Sequence, residues 1–154
     1  MSMTSLDNDL KELKSALDES WVPKILSYKT SFTVFPDHTN YNNPPSIFGG
    51  KMLAEMDNAA AMACRRALYN TACTYAITTA VNNVVFKRPA YIGDIVHIEA
   101  TITDLGTKSL TVTVKCQREN KTGEIAEMAT GTFVFCARED GKPVEHCISL
   151  PDKK

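Results

Sequence analysis

The stretch "SIFGGKMLAEMD", residues 46–57, opens the longest helical pattern in the chain. From Gly50 to Tyr69 the residues are rich in Ala, Met and Leu, all good helix formers. Stepping about 100° per residue from Leu53 gathers Met56, Ala60, Ala63, Cys64 and Ala67 into one apolar stripe. Lys51, Glu55, Asn58, Arg65 and Arg66 fall on the other side, as a solvated face does. Asp57 does not join them. It falls about 40° from Leu53, on the flank of the stripe. A carboxylate there is either bonded to a neighbouring group or functional, because burying an unpaired charge is costly.

Downstream the period changes from helical to two. "TYAITTAVNNVVF" reads as a long strand and "KRPAYIGD" as a turn. "IVHIEATITDL" sets Val96, Ile98, Ala100 and Ile102 opposite His97, Glu99, Thr101 and Thr103. "LTVTVKCQRE" sets Leu110, Val112, Val114 and Cys116 opposite Thr111, Thr113, Lys115 and Gln117. "GTKS" and "NKTG" are tight turns, and "EIAEMATGTFVFCARE" is the last long strand. Upstream, "ILSYKTSFTVF" reads as a strand and "PDHTNYNNPPS" as a loop. Short turns imply antiparallel neighbours, and one long apolar helix must bury its stripe on the sheet. The expected fold is therefore α+β, an antiparallel sheet wrapped around one central helix. That is the hotdog architecture. The whole chain, residues 1–154, reads as a single domain. Residues 1–20 carry an extra amphipathic helix (Leu6, Leu10, Leu13, Leu17), and residues 144–154 form an irregular tail.

The glycines bear on chemistry. A helix start offers free N–H groups and a positive dipole end. Gly49 and Gly50 lack a Cβ, so a carbonyl oxygen can approach that backbone as in an oxyanion hole. The plainer alternative is a tight turn. Gly50 and Asp57 share a face but lie seven residues apart, about 10.5 Å along the axis. Acting on one carbonyl carbon, they must come from two helices. A two-fold dimer with adjacent antiparallel helices supplies that pairing twice.

Composition excludes several classes. Net charge is −1 with 23% charged residues, which points to no nucleic acid partner. No apolar run is long enough to span a membrane and no signal-peptide layout opens the chain, so a cytoplasmic location is expected. Five cysteines (Cys64, Cys73, Cys116, Cys136, Cys147) form no C-x-x-C pair and read as reduced packing residues. His38, His97 and His146 share no helical face with each other or with a carboxylate, so no metal is expected.

The sequence resembles the hotdog-fold acyl-CoA thioesterases, the acyl-CoA hydrolase group. The likeness rests on "PDHTN" (residues 36–40), "IFGGKMLAEMD" (47–57), "VVFKRPAYIGDIV" (84–96), "GTKS" (106–109) and "DGKP" (140–143). It implies hydrolysis of an acyl-CoA thioester to fatty acid and CoA, with CoA as part of the substrate and no separate cofactor. It places the catalytic carboxylate on Asp57, an accessory role on Asn40 and the oxyanion N–H on Gly50. Phe48, Gly49 and Arg88, with Gly106, Thr107, Lys108 and Ser109 of the turn, become substrate-binding residues, the turn and nearby basic residues lining the nucleotide end. Family members form dimers that assemble as trimers of dimers. One departure stands out: the linker "TNYNNPPSIFGG" is about two residues longer than usual, lacks the family's Gly and carries Pro44 and Pro45. Asn42 or Asn43 is then a substitute for Asn40. Two other readings compete. A hotdog dehydratase or hydratase needs a site histidine, which the helix lacks. A non-catalytic acyl-CoA-binding hotdog module would bind without turnover.

Overall fold

The structure is a computed structural model that describes residues 26–69, 71, 73 and 75–148. The leucine face expected in residues 1–20 lies outside them, as does the end of the tail. The elements in chain order are β1 (Ser27–Thr33), α1 (Gly49–Ala67), β2 (Tyr75–Phe86), β3 (Ile95–Leu105), β4 (Ser109–Glu119), β5 (Ile125–Glu139) and β6 (Lys142–Pro143), with one 3₁₀ turn at Pro36–His38. All strand pairs are antiparallel, in the order β1-β3-β4-β5-β2, with β6 on β5. This sheet wraps α1, as the hotdog architecture requires.

The alternation resolves as expected. Val96, Ile98, Ala100 and Ile102 of β3 are buried, as are Leu110, Val112, Val114 and Cys116 of β4. The helix stripe is rotated from the expected one. Its centre is Met56, fully buried, flanked by Met52, Ala59, Ala60, Ala63, Cys64 and Ala67. Leu53 is only partly buried, and Glu55, half-buried, pairs with Lys51 at 2.8 Å. Asp57 still falls on the flank, beside Leu53 and Cys64 on a helical wheel.

One further expectation is corrected. Strands β2 and β3 are not neighbours: "KRPAYIGD" is a crossover, and β2 pairs with β5 at the far edge. Just ahead of the tail, Lys142 and Pro143 pair with Glu139 and Arg138. Among the described residues strand β2 thus has one neighbour and one open edge. Tyr75, Ile77, Val81, Val85 and Phe86 along it are 39–50% exposed.

The close seat of α1 on the sheet depends on Gly131. A Cβ there would meet Val84 Cγ2 at 3.0 Å and the Met56 thioether methyl at 3.2 Å. Gly131→Val is expected to lower the unfolding free energy by about 1–3 kcal/mol, because an overpacked core must shift. A denaturant titration reads the change.

Candidate active site

The loop before α1 forms a small antiparallel connection of its own. Asn40 N donates to Ser46 O (2.9 Å), Phe48 N to His38 O (2.8 Å) and Ile47 N to Ala90 O (2.8 Å). The crossover turn is fixed by buried Asp94, whose Oδ2 accepts the Tyr91 N–H at 2.8 Å. These anchors aim the chain into α1 at Phe48. No side chain caps the helix start, and Phe48 O accepts its first bond from Met52 N (3.1 Å). The first-turn N–H groups of Gly49, Gly50 and Lys51 therefore point out of the helix with no intrahelical acceptor. A Cβ on Gly50 would run into the Phe48 ring, 2.5 Å away, so this exposed aromatic lies across the glycine.

Two turns along, Asp57 Oδ1 accepts a hydrogen bond from Thr78 Oγ1 of β2 at 2.7 Å. That makes the helix carboxylate a partnered one. Thr78 is the residue sequence reasoning missed. A register shift between Thr78 and Ala80, a β-bulge in β2, lies immediately beside it. Period-two reading cannot see a bulge. The one signal was a Thr-Thr pair in an apolar strand.

Two rows across the sheet locate the pieces. Thr78 faces Phe135, which faces Leu110 beside the "GTKS" turn. Phe86 faces Ala129, which faces Cys116. Along β4 these rows are about 20 Å apart. The first row carries Asp57, Thr78 and the turn residues Gly106, Thr107, Lys108 and Ser109. The second carries Gly49, near the Phe86 ring, and Arg88, whose Nη1 donates to Glu127 O at 2.8 Å. The structure does not bring Arg88 and the turn together in one chain, although both were expected at the nucleotide end. They lie at opposite ends of the sheet.

Asn40 belongs with the second group. Its side chain closes the loop: Oδ1 accepts from Asn42 N (3.1 Å) and Ser46 N (3.4 Å), and Nδ2 donates to Ser46 Oγ (3.4 Å). It makes no bond to Asp57 of its own chain. Asn42 and Asn43 are exposed. The "GTKS" turn is held by the C-terminal segment. Buried His146 bonds through Nε2 to Gly106 O, while its Nδ1 accepts from Ile148 N at 3.0 Å. Ala137 N donates to Lys108 O at 2.8 Å.

All five cysteines are free thiols. Cys64, Cys73 and Cys116 are buried and Cys136 half-buried, but Cys147 is exposed and does no packing. Burial, and next to it the Asp57 charge, pushes the Cys64 thiol up to about 12, and burial does the same for Cys116. Neither is a thiolate nucleophile at neutral pH. A raised thiol pKa means the native state holds protons that the unfolded state releases. Stability is thus expected to fall as pH rises from about 9 toward 12, with no contribution from these groups below 9. Unfolding free energies at pH 8 and pH 10 check this. Among the described residues no cluster of three His, Cys, Asp or Glu suits a metal ion, and no helix is long and apolar enough to cross a membrane.

A buried helix in a curved antiparallel sheet is the fold of a known superfamily. Residues 45–125 match the thioesterase superfamily, and the chain belongs to it. An uncharacterized acyl-CoA thioester hydrolase, YkhA of Bacillus subtilis, is 36% identical over 122 residues, which cover 75% of this chain and 64% of that protein. The chain thus spans just under two thirds of that relative's length. Among solved structures, an apo-hexameric acyl-CoA thioesterase superposes with a TM-score of 0.73 at 28% identity, covering 80% of this chain and 76% of the other. The Staphylococcus aureus acyl-CoA hydrolase, in complex with butyryl coenzyme A, coenzyme A and coenzyme A disulfide, gives 0.71 at 26% identity, covering 80% and 73%.

Proposed function

We propose that this chain hydrolyses the thioester of fatty acyl-CoA to free fatty acid and CoA, in sites shared between two subunits. The observation that carries the reading is the division of the site into two halves. One half is Asp57 with Thr78 and the "GTKS" turn. The other is the uncapped Gly49–Gly50 start with Asn40 and Arg88. In one chain the halves are separated along both helix and sheet. Two chains related by a two-fold axis, with their helices antiparallel, join unlike halves twice. The open edge of β2 and its exposed apolar residues give that pairing its surface, since such an edge is a template for a second strand. Hexameric relatives support a trimer of these dimers.

In this arrangement the thioester carbonyl oxygen accepts the Gly50 N–H at the positive end of α1. The partner subunit's Asp57 activates a water as general base or attacks the carbonyl carbon directly. The Thr78 hydroxyl fixes one oxygen of Asp57 and leaves the other for the reaction. Asn40 orients the water or the carboxylate from the glycine side. Lys108, in the turn of the subunit that supplies Asp57, meets the anionic end of CoA, while Arg88, held on Glu127 O beside the glycines of the other, borders the acyl side. The two routes are distinguished by single turnover in oxygen-18 water: label in Asp57 marks the covalent path.

The second reading is a non-catalytic acyl-CoA-binding module. It is favoured by the loop bonds of Asn40, which tie that side chain into the longer linker. Thiol release measured over acyl-CoAs from acetyl to palmitoyl separates the two. Turnover supports the hydrolase, and binding without thiol release supports the module.

A further inference from the structure

A cleft of about 290 Å³ opens beside the start of α1, lined by Ile47, Gly49, Met52, Phe86, Pro89 and Met128, with Lys87 and Arg88 alongside. Met52, Met128 and Ile47 are buried and make its floor, while Phe86 is half exposed and makes an open wall. Both cations are turned to β5: Lys87 Nζ lies 3.0 Å from Glu127 Oε1, and Arg88 Nη1 donates to Glu127 O. The remaining lining is apolar.

From this we infer that the cleft holds the hydrocarbon tail of the acyl group and sets the chain length the protein accepts. The inference rests on the thioesterase reading. A carbonyl bound at the Gly50 N–H is one residue from Gly49, so a chain leaving that carbon enters the cleft at once. The pantetheine arm is a poor occupant, because its amides and hydroxyl would lose water against apolar walls. An alkyl chain loses nothing there. The size limits its length. An apolar cavity of about 150 Å³ takes up one benzene ring, so about 290 Å³ takes on the order of a dozen carbons. The substrates are thus short- to medium-chain acyl groups. Each methylene that enters raises kcat/KM roughly fourfold until the cleft is full. Two methionines in the floor let it adapt to chains of different shape.

Gly49→Leu tests this. A Cβ at position 49 meets the Phe86 ring only at 3.9 Å, an ordinary contact, so the first carbon fits and the rest of the side chain fills the cleft. The ratio of kcat/KM for decanoyl-CoA to that for acetyl-CoA is expected to fall at least about tenfold. Met52→Ala, which deepens the floor, is expected to move the preferred chain longer by about two carbons. The dissociation constants of the S-decyl and S-ethyl thioethers of CoA, measured by calorimetry, read the same preference without turnover. The wild type prefers S-decyl, and Gly49→Leu loses that preference. An unchanged decanoyl-to-acetyl ratio in Gly49→Leu, or equal weakening of both thioethers, overturns the inference and leaves the hydrolase reading intact. Absence of turnover with every acyl-CoA overturns the hydrolase reading, and the thioether ratio still decides the cleft.

Discussion

Asp57→Asn is expected to lower kcat for acyl-CoA hydrolysis by about 10²–10⁴-fold, the range a general base supplies. The substitution keeps the shape of the side chain and still offers an oxygen to Thr78 Oγ1, now 2.7 Å from Asp57 Oδ1. It removes only the basicity and the negative charge. KM for the CoA ester should stay within about threefold, since the carboxylate acts on the reacting carbon and does not hold the nucleotide. Stability should change by no more than about 0.5 kcal/mol, because the site is on the flank of the stripe and not in its centre. Steady-state kinetics with a denaturant titration separate these effects. Wild-type turnover in Asp57→Asn excludes the assignment.

The second large effect is expected at the helix start. Gly50→Pro removes one N–H at a position where proline is tolerated, because the first helical turn makes no use of that donor. Losing a donor to a developing oxyanion costs about 10²–10³ in kcat. The ring must displace the Phe48 side chain, which is exposed and free to swing outward. Gly50→Ala is the control. It displaces Phe48 in the same way but keeps the N–H. A loss in Gly50→Pro that Gly50→Ala shares in full would assign the effect to Phe48 and not to the amide.

Much of this was legible in the sequence, for physical reasons. Helical and strand periods report burial directly, so α1 and the faces of β3 and β4 could be read residue by residue. Asp57 stood out because a carboxylate beside an apolar stripe breaks the pattern, even though the stripe is centred on Met56 and not on Leu53. The separation of Gly50 from Asp57 followed from helix rise alone. What could not be read depends on contacts distant in the chain. Nothing local in "KRPAYIGD" distinguishes a hairpin from a crossover, so β2 was placed beside β3 when its partner is β5. The bulge beside Thr78 is a property of the β2–β5 register, so the partner of Asp57 was hidden. Arg88 and Lys108 look alike as basic turn residues, and only the sheet shows them at opposite ends. The exposed Cys147 shows that a free cysteine need not be a packing residue.

The central claim is that Gly50 and Asp57 serve each other across a dimer. Mixing the two inactive variants tests it most directly. Asp57→Asn and Gly50→Pro subunits are unfolded together in equal amounts and refolded, and thiol release is measured. A mixed dimer carries one site with both an intact Gly50 and an intact Asp57, and one site with neither. Half of the dimers are mixed, so recovery of about a quarter of wild-type activity is predicted. If both groups act within one chain, no site in any mixed dimer is intact, and activity that stays at the level of the separate variants would contradict the account.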